Sequence, residues 1–119
     1  MAGPADSRLI YKIVPDALWR VAVAAGRFEG ASVDLADGYI HFSTAAQVQE
    51  TAAKHFSGMA DLLLVAVDAE ELSPALRWEP SRGGAQFPHL YLPLPVGAVR
   101  WTAPLPLGLD GRHVFPVLA

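Results

Sequence analysis

The sequence contains no cysteine. That absence removes disulfide scaffolds, thiol nucleophiles and thiolate-ligated zinc or iron–sulfur sites. No apolar run reaches the roughly 18 residues that a membrane-spanning helix needs. The first residues lack the basic-then-apolar order of a signal peptide, so a cytoplasmic protein with no membrane partner is expected. A surplus of positive charge is also missing: nine Lys and Arg stand against twelve Asp and Glu, a formal charge of -3. Bulk nucleic-acid binding relies on a basic surface and is not expected. The Walker loop, GxGxxG and GxSxG are absent. The four histidines, His41, His55, His89 and His113, form no HxH or HxxxH pair, and no DxD accompanies them. No metal site is therefore expected.

What is present suffices for one packed domain. A chain of 119 residues, 52% hydrophobic and 18% charged, is too rich in apolar groups for disorder and too short for two ordinary domains. Residues 1–119 are read as a single domain, with 1–7 a loose arm and 108–119 a tail packed along the surface. Leu9 to Val14 is a β-prone run. Asp16 to Arg27 carries Leu18, Val21, Ala22 and Ala25 at helical spacing. After the turn signal Asp37-Gly38, Tyr39 to Phe42 reads as a short strand. Thr44 and Gln47 then form a capping box for a second helix, whose face is Val48, Ala52, His55 and Phe56 and whose stop is Gly58. Leu62 to Asp68 is continuously apolar, as a central strand is. Glu70 to Leu72 reads as a turn of helix, and Leu76 to Glu79 as a short strand. Ser81 to Gln86 is a glycine-containing loop. Pro93 and Pro95 confine the segment after Leu90 to a strand end or edge, and Val96 to Ala103 is a further strand. The predicted class is α+β: two early helices packed on a mostly antiparallel, split sheet.

Several residues are candidates for chemistry. His41 alternates with the apolar Ile40 and Phe42, so it faces away from the core that they need. On a cleft it would donate, accept or transfer a proton; otherwise it is a satisfied structural histidine. Ser43 and Thr44 stand at a strand-to-helix junction, where free amides and the helix dipole suit a ribose or an anion, although capping alone accounts for Thr44. His89 and Tyr91 share a face that Leu90 does not, as two walls of a pocket would. Trp78 offers a stacking surface and Glu79 a carboxylate. Tyr11 and Lys12 point to opposite faces of the first strand, so one of them faces any pocket there.

Ile10-Tyr11-Lys12-Ile13, Trp19, Asp37-Gly38-Tyr39-Ile40-His41-Phe42-Ser43-Thr44, Gln47, Trp78-Glu79 and Phe87-Pro88-His89-Leu90-Tyr91 fall in one order over about residues 9–105. Together they resemble the bacterial domain-of-unknown-function 952 family. The resemblance implies a compact relative of the ADP-ribosyltransferase fold. It places His41 at that superfamily's ring position, and His89 where a catalytic glutamate would stand. It further implies NAD as a substrate, with no firmly bound cofactor. His41 and His89 would be catalytic; Tyr11 or Lys12, Ser43, Thr44, Trp78, Glu79 and Tyr91 would hold the nucleotide. Two alternatives remain open. One is a domain that binds a nucleotide or small ligand without turnover. The other is an interaction module that uses the proline-rich stretch from Pro88 to Pro106. The sequence leaves the oligomeric state open.

Overall fold

The computed structural model describes residues 9–81 and 84–118. The expected N-terminal arm lies outside them, as do two residues of the glycine-containing loop. The chain is a small α+β domain in which the named strand pairs run antiparallel.

Strand β1 (Leu9–Pro15) leads straight into helix α1 (Asp16–Ala25). Pro15 sits at the junction, where the missing N–H is harmless. The helix ends two residues before the expected Arg27, because Gly26 takes a left-handed conformation that closes it. Arg27 instead opens β2 (Arg27–Phe28), which pairs with β7 (Leu94–Pro95). A helix that the sequence pattern did not predict follows, α2 (Ser32–Asp37). Strand β3 (Ile40–His41) is shorter than expected, and α3 (Ala45–His55) starts after Thr44. Strand β4 (Leu62–Asp68) and a 3-10 turn (Ala69–Leu72) fall on their predicted runs. Strands β5 (Leu76–Pro80) and β6 (Gln86–Leu90) form a hairpin. The expected strand from Val96 is a 3-10 turn (Val96–Ala98) before it becomes β8 (Val99–Pro104).

Two three-stranded sheets result, in the orders β1-β4-β8 and β3-β6-β5. They are split, yet stitched at one point. Tyr11 and Ser43 exchange both backbone hydrogen bonds at 2.8 Å, so the free edge of β1 is pinned to the chain just after β3.

Two apolar layers clasp the β1-β4-β8 sheet. Ile10, Val14, Val65 and Val67 face Trp19 and Ala22 of α1, and Ile40, Phe42 and Leu90 join the same cluster. Tyr11, Ile13, Leu62, Leu64 and Ala66 face Val48 and Ala52 of α3, together with Leu105; Phe115 and Leu118 of the tail pack against this second cluster. Strand β4 is therefore buried on both faces, which explains its unbroken apolar sequence. One position breaks the pattern. Lys12 lies between Ile10 and Val14 on the core-facing side, and it is buried.

Candidate functional site

Alternation along β3 and β6 decides which side chains meet. Ile40 and Leu90 pair across the strands and enter the core. The next pair, His41 opposite His89, lies on the other face. The two rings sit edge to face, 5.5 Å between centroids. Both line one cleft of about 560 Å³, which opens at the split between the sheets. Lys12 and Ser43 line it too.

The centre of this arrangement is a residue the sequence reading missed. Asp34 of α2 is buried and accepts hydrogen bonds from the N–H of Ala31 at 2.7 Å, the N–H of His41 at 3.0 Å and Nδ1 of His41 at 2.7 Å. The Lys12 ammonium lies 3.1 Å from its Oδ2 and also donates to the carbonyl of His41 at 3.0 Å. Burial pushes the Asp34 carboxyl up. The His41 hydrogen bond, the Lys12 charge and the two backbone donors outweigh it and bring the pKa down to about 2. Lys12 is displaced in the opposite sense: burial pulls its ammonium below the usual lysine range, against the raising effect of Asp34. A buried pair of this kind holds geometry more than it adds stability. Here it ties α2, β1 and β3 to one point. Gly30 makes the approach feasible. Its φ is +122°, and a Cβ there would stand 2.8 Å from the Asp34 Cβ.

Each histidine is held by a carboxylate. His41 has Asp34 at Nδ1 and the exposed Asp37 at Nε2, 2.9 Å away. His89 Nδ1 donates to Glu79 Oε1 at 2.8 Å, and the Tyr91 hydroxyl donates to the same oxygen at 2.7 Å. This bond fixes the proton of His89 on Nδ1 and leaves Nε2 without a partner among the described residues. The hydrogen bonds from His89 and Tyr91 hold the Glu79 carboxyl below its ordinary range. The bond to Glu79 in turn raises the Tyr91 phenol. Tyr39 lies over both histidines, its ring centroid 4.6 Å from that of His41 and 4.2 Å from that of His89. Its phenol is raised by burial and by the charges of Asp37 and Glu79. Among the described residues no group of three His, Asp or Glu side chains is placed to hold a metal ion.

The other expected residues divide. Lys12 spans the cleft floor, whereas the Tyr11 ring packs against Trp101 in the second core. Both touch the cleft because it runs along the edge of β1 rather than over one face. The Ser43 hydroxyl lies 3.0 Å from that of Thr51 on the cleft wall. Thr44 is outside the cleft. Its N–H donates to Gln47 Oε1 at 3.0 Å, the reciprocal half of a capping box. Glu79 and Trp78 were expected to act together, but neighbours on a strand face opposite ways. Glu79 reaches His89 and Tyr91 bonds Glu79, but neither lines the cleft as expected; Trp78 is paired with Pro88 on the other face and stays half-exposed, also away from the cleft. Asp37 escaped notice because Asp37-Gly38 reads as a turn. His55 was read only as helix face, yet it lines the cleft beside Phe56.

Residues 13–102 match a family described as Protein of unknown function (DUF952). The chain belongs to this family. The crystal structure of protein CC0527 from Caulobacter crescentus is 58% identical, with a TM-score of 0.86 over 89% of this chain and 93% of that one. The solution structure of the same Caulobacter protein gives 59% identity and a TM-score of 0.81, over 88% and 90% of the two chains. No curated protein matches the chain. Membership of the domain-of-unknown-function 952 family thus accounts for the fold and leaves the chemistry to the site. Among the described residues no helix is long and apolar enough to cross a membrane.

Proposed function

We propose that the cleft is a nucleotide pocket of the ADP-ribosyltransferase-like kind, taking NAD or an ADP-ribose-type ligand, with His89 as the base and His41 holding the ribose. The observation that carries this reading is the cross-strand pair itself. Two imidazoles sit side by side in one cleft, and each is oriented through Nδ1 by a carboxylate. A cleft of about 560 Å³ is of the size that holds a small organic ligand.

The surrounding charge suits NAD. Its nicotinamide ring is a cation, and breaking its glycosidic bond develops positive charge on the ribose. In this reading His89 stands where the superfamily has its glutamate. Glu79, bonded to His89, and Asp37, bonded to His41, put two carboxylates behind the histidines, outside the cleft lining itself. In the proposed reaction the bond between ribose C1′ and the nicotinamide nitrogen breaks, and its electron pair neutralises the pyridinium. Water or an acceptor hydroxyl forms the new C1′–O bond, and the His89 Nε2 takes the released proton. His41 Nε2 would bind a ribose hydroxyl once Asp37 yields that nitrogen. Asp37 is the exchangeable partner because it is exposed, whereas Asp34 is buried.

The test is release of nicotinamide from NAD by the purified protein. His41→Ala and His89→Ala should each lower the rate by about 100-fold or more while circular dichroism stays that of the parent. Saturable binding without release would point instead to the non-catalytic alternative. Absence of both binding and release would overturn the proposal.

A further inference from the structure

The β1 edge carries an unused pair of backbone groups. Tyr11 spends its N–H and C=O on Ser43, so both point away from β4. Two residues on, strand alternation directs the N–H and C=O of Ile13 to that same edge. No partner meets them there among the described residues, although Ile13 is buried and lines the cleft. Buried backbone groups are paired in nearly all native structures, so an open pair facing a cavity marks a place where something binds. The wall around it differs from the histidine end. It is formed by α3 and the residue after it, through Val48, Thr51, His55 and Phe56. Phe56 presents an aromatic ring, and the His55 imidazole has no partner among the described residues.

We infer that this part of the cleft is a base-recognition subsite for a planar heterocycle with a hydrogen-bond donor beside an acceptor, an adenine-type ring, read by the backbone of Ile13 and flanked by His55 and Phe56. The inference rests on the nucleotide reading of the cleft and extends it to the other end of the ligand. Three alternatives fit the edge less well. An anion would meet the Ile13 carbonyl, and a cation would meet its N–H. An added peptide strand would need a longer edge, but Pro15 has no N–H and ends β1. A flat neutral edge that offers one donor and one acceptor satisfies both groups, while the rings of Phe56 and His55 supply stacking surface.

The experiment is a ¹⁵N-resolved NMR titration of the full chain with adenosine, with purine riboside, which lacks the 6-amino donor, and with nicotinamide mononucleotide. It is run on the parent and on His55→Ala, an exposed position that bears on no core contact. The expected result is a saturating shift of the Ile13 amide with adenosine. Purine riboside should bind about tenfold or more weaker, since it leaves a buried group unpaired. His55→Ala should weaken adenosine several-fold and leave nicotinamide mononucleotide, seated at His41 and His89, unchanged. Nicotinamide mononucleotide binding with no adenosine response at Ile13, or adenosine binding that ignores both the 6-amino group and His55→Ala, would overturn the subsite while the nucleotide reading stands. No shift with any of the three would overturn both.

Discussion

Substituting Asp34 separates what the buried ion pair does for the fold from what it does for the site. In Asp34→Asn the side chain keeps its shape but loses its charge, and Lys12 is left buried beside a neutral amide. Removing one partner of a buried pair typically costs about 3–5 kcal/mol, a large share of the stability of a small domain. The reverse change, Lys12→Met, should cost less, about 1–2 kcal/mol. Asp34 would still accept from His41 and from two backbone N–H groups, whereas among the described residues Lys12 has only Asp34 to balance its charge. The double variant should recover much of the Asp34→Asn loss, since an apolar chain replaces the stranded ammonium. The pH dependence has a definite sign. In the parent, the Asp34 carboxyl has a pKa of about 2, against 3.8 for an unperturbed aspartate. Its contribution is therefore fully present above the unfolded value and is lost as pH falls through about 2, in total about 2 kcal/mol. Asp34→Asn lacks this acid limb. Its Lys12, lowered by burial, makes the variant regain stability as pH rises toward the ordinary lysine value, and Lys12→Met abolishes that rise. Urea unfolding of the four proteins from about pH 1.5 to pH 10 measures all of this. A loss below about 1 kcal/mol for Asp34→Asn, or equal losses for the two single variants, would refute the reasoning.

Further outcomes follow from particular contacts. Gly30→Ala should destabilise by about 2 kcal/mol, because a positive φ and a Cβ against Asp34 coincide there; Gly38→Ala, with a positive φ but open space, should lose less by the same urea assay. Tyr91→Phe removes one of the two donors to Glu79, so the Glu79 carboxyl should move back up toward the ordinary glutamate range in a carbon-detected NMR titration; an unchanged midpoint would contradict the hydrogen bond. Gln47→Ala should lower thermal stability by about 1 kcal/mol, since it removes both the bond to the Thr44 N–H and the bond to the Gln86 carbonyl.

Much of the architecture was legible because it follows from alternation and caps. Leu62 to Asp68 could only be a strand buried on both faces. Alternation through Ile40-His41-Phe42 and His89-Leu90-Tyr91 is enough to place the histidines on the face opposite Ile40 and Leu90. What was not legible came from short or inverted signals. Helix α2 carries Val33 and Leu35 outward and the charged Asp34 inward, so its polar pattern points the wrong way. Only tertiary pairing with Lys12 and His41 explains the inversion. The pairing of Trp78 with Glu79 failed for a simpler reason: adjacent strand residues never share a face. His55 was missed because a histidine on an apolar helix face gives no sign of whether that face meets a core or a cavity.

The most direct test of the central claim is calorimetric titration of the parent, His41→Ala and His89→Ala with NAD, ADP-ribose and nicotinamide. The account predicts saturable binding of NAD and ADP-ribose by the parent, weakened by about tenfold or more in both variants, as expected when a buried polar contact is lost. A folded parent protein that binds none of the three ligands would contradict it.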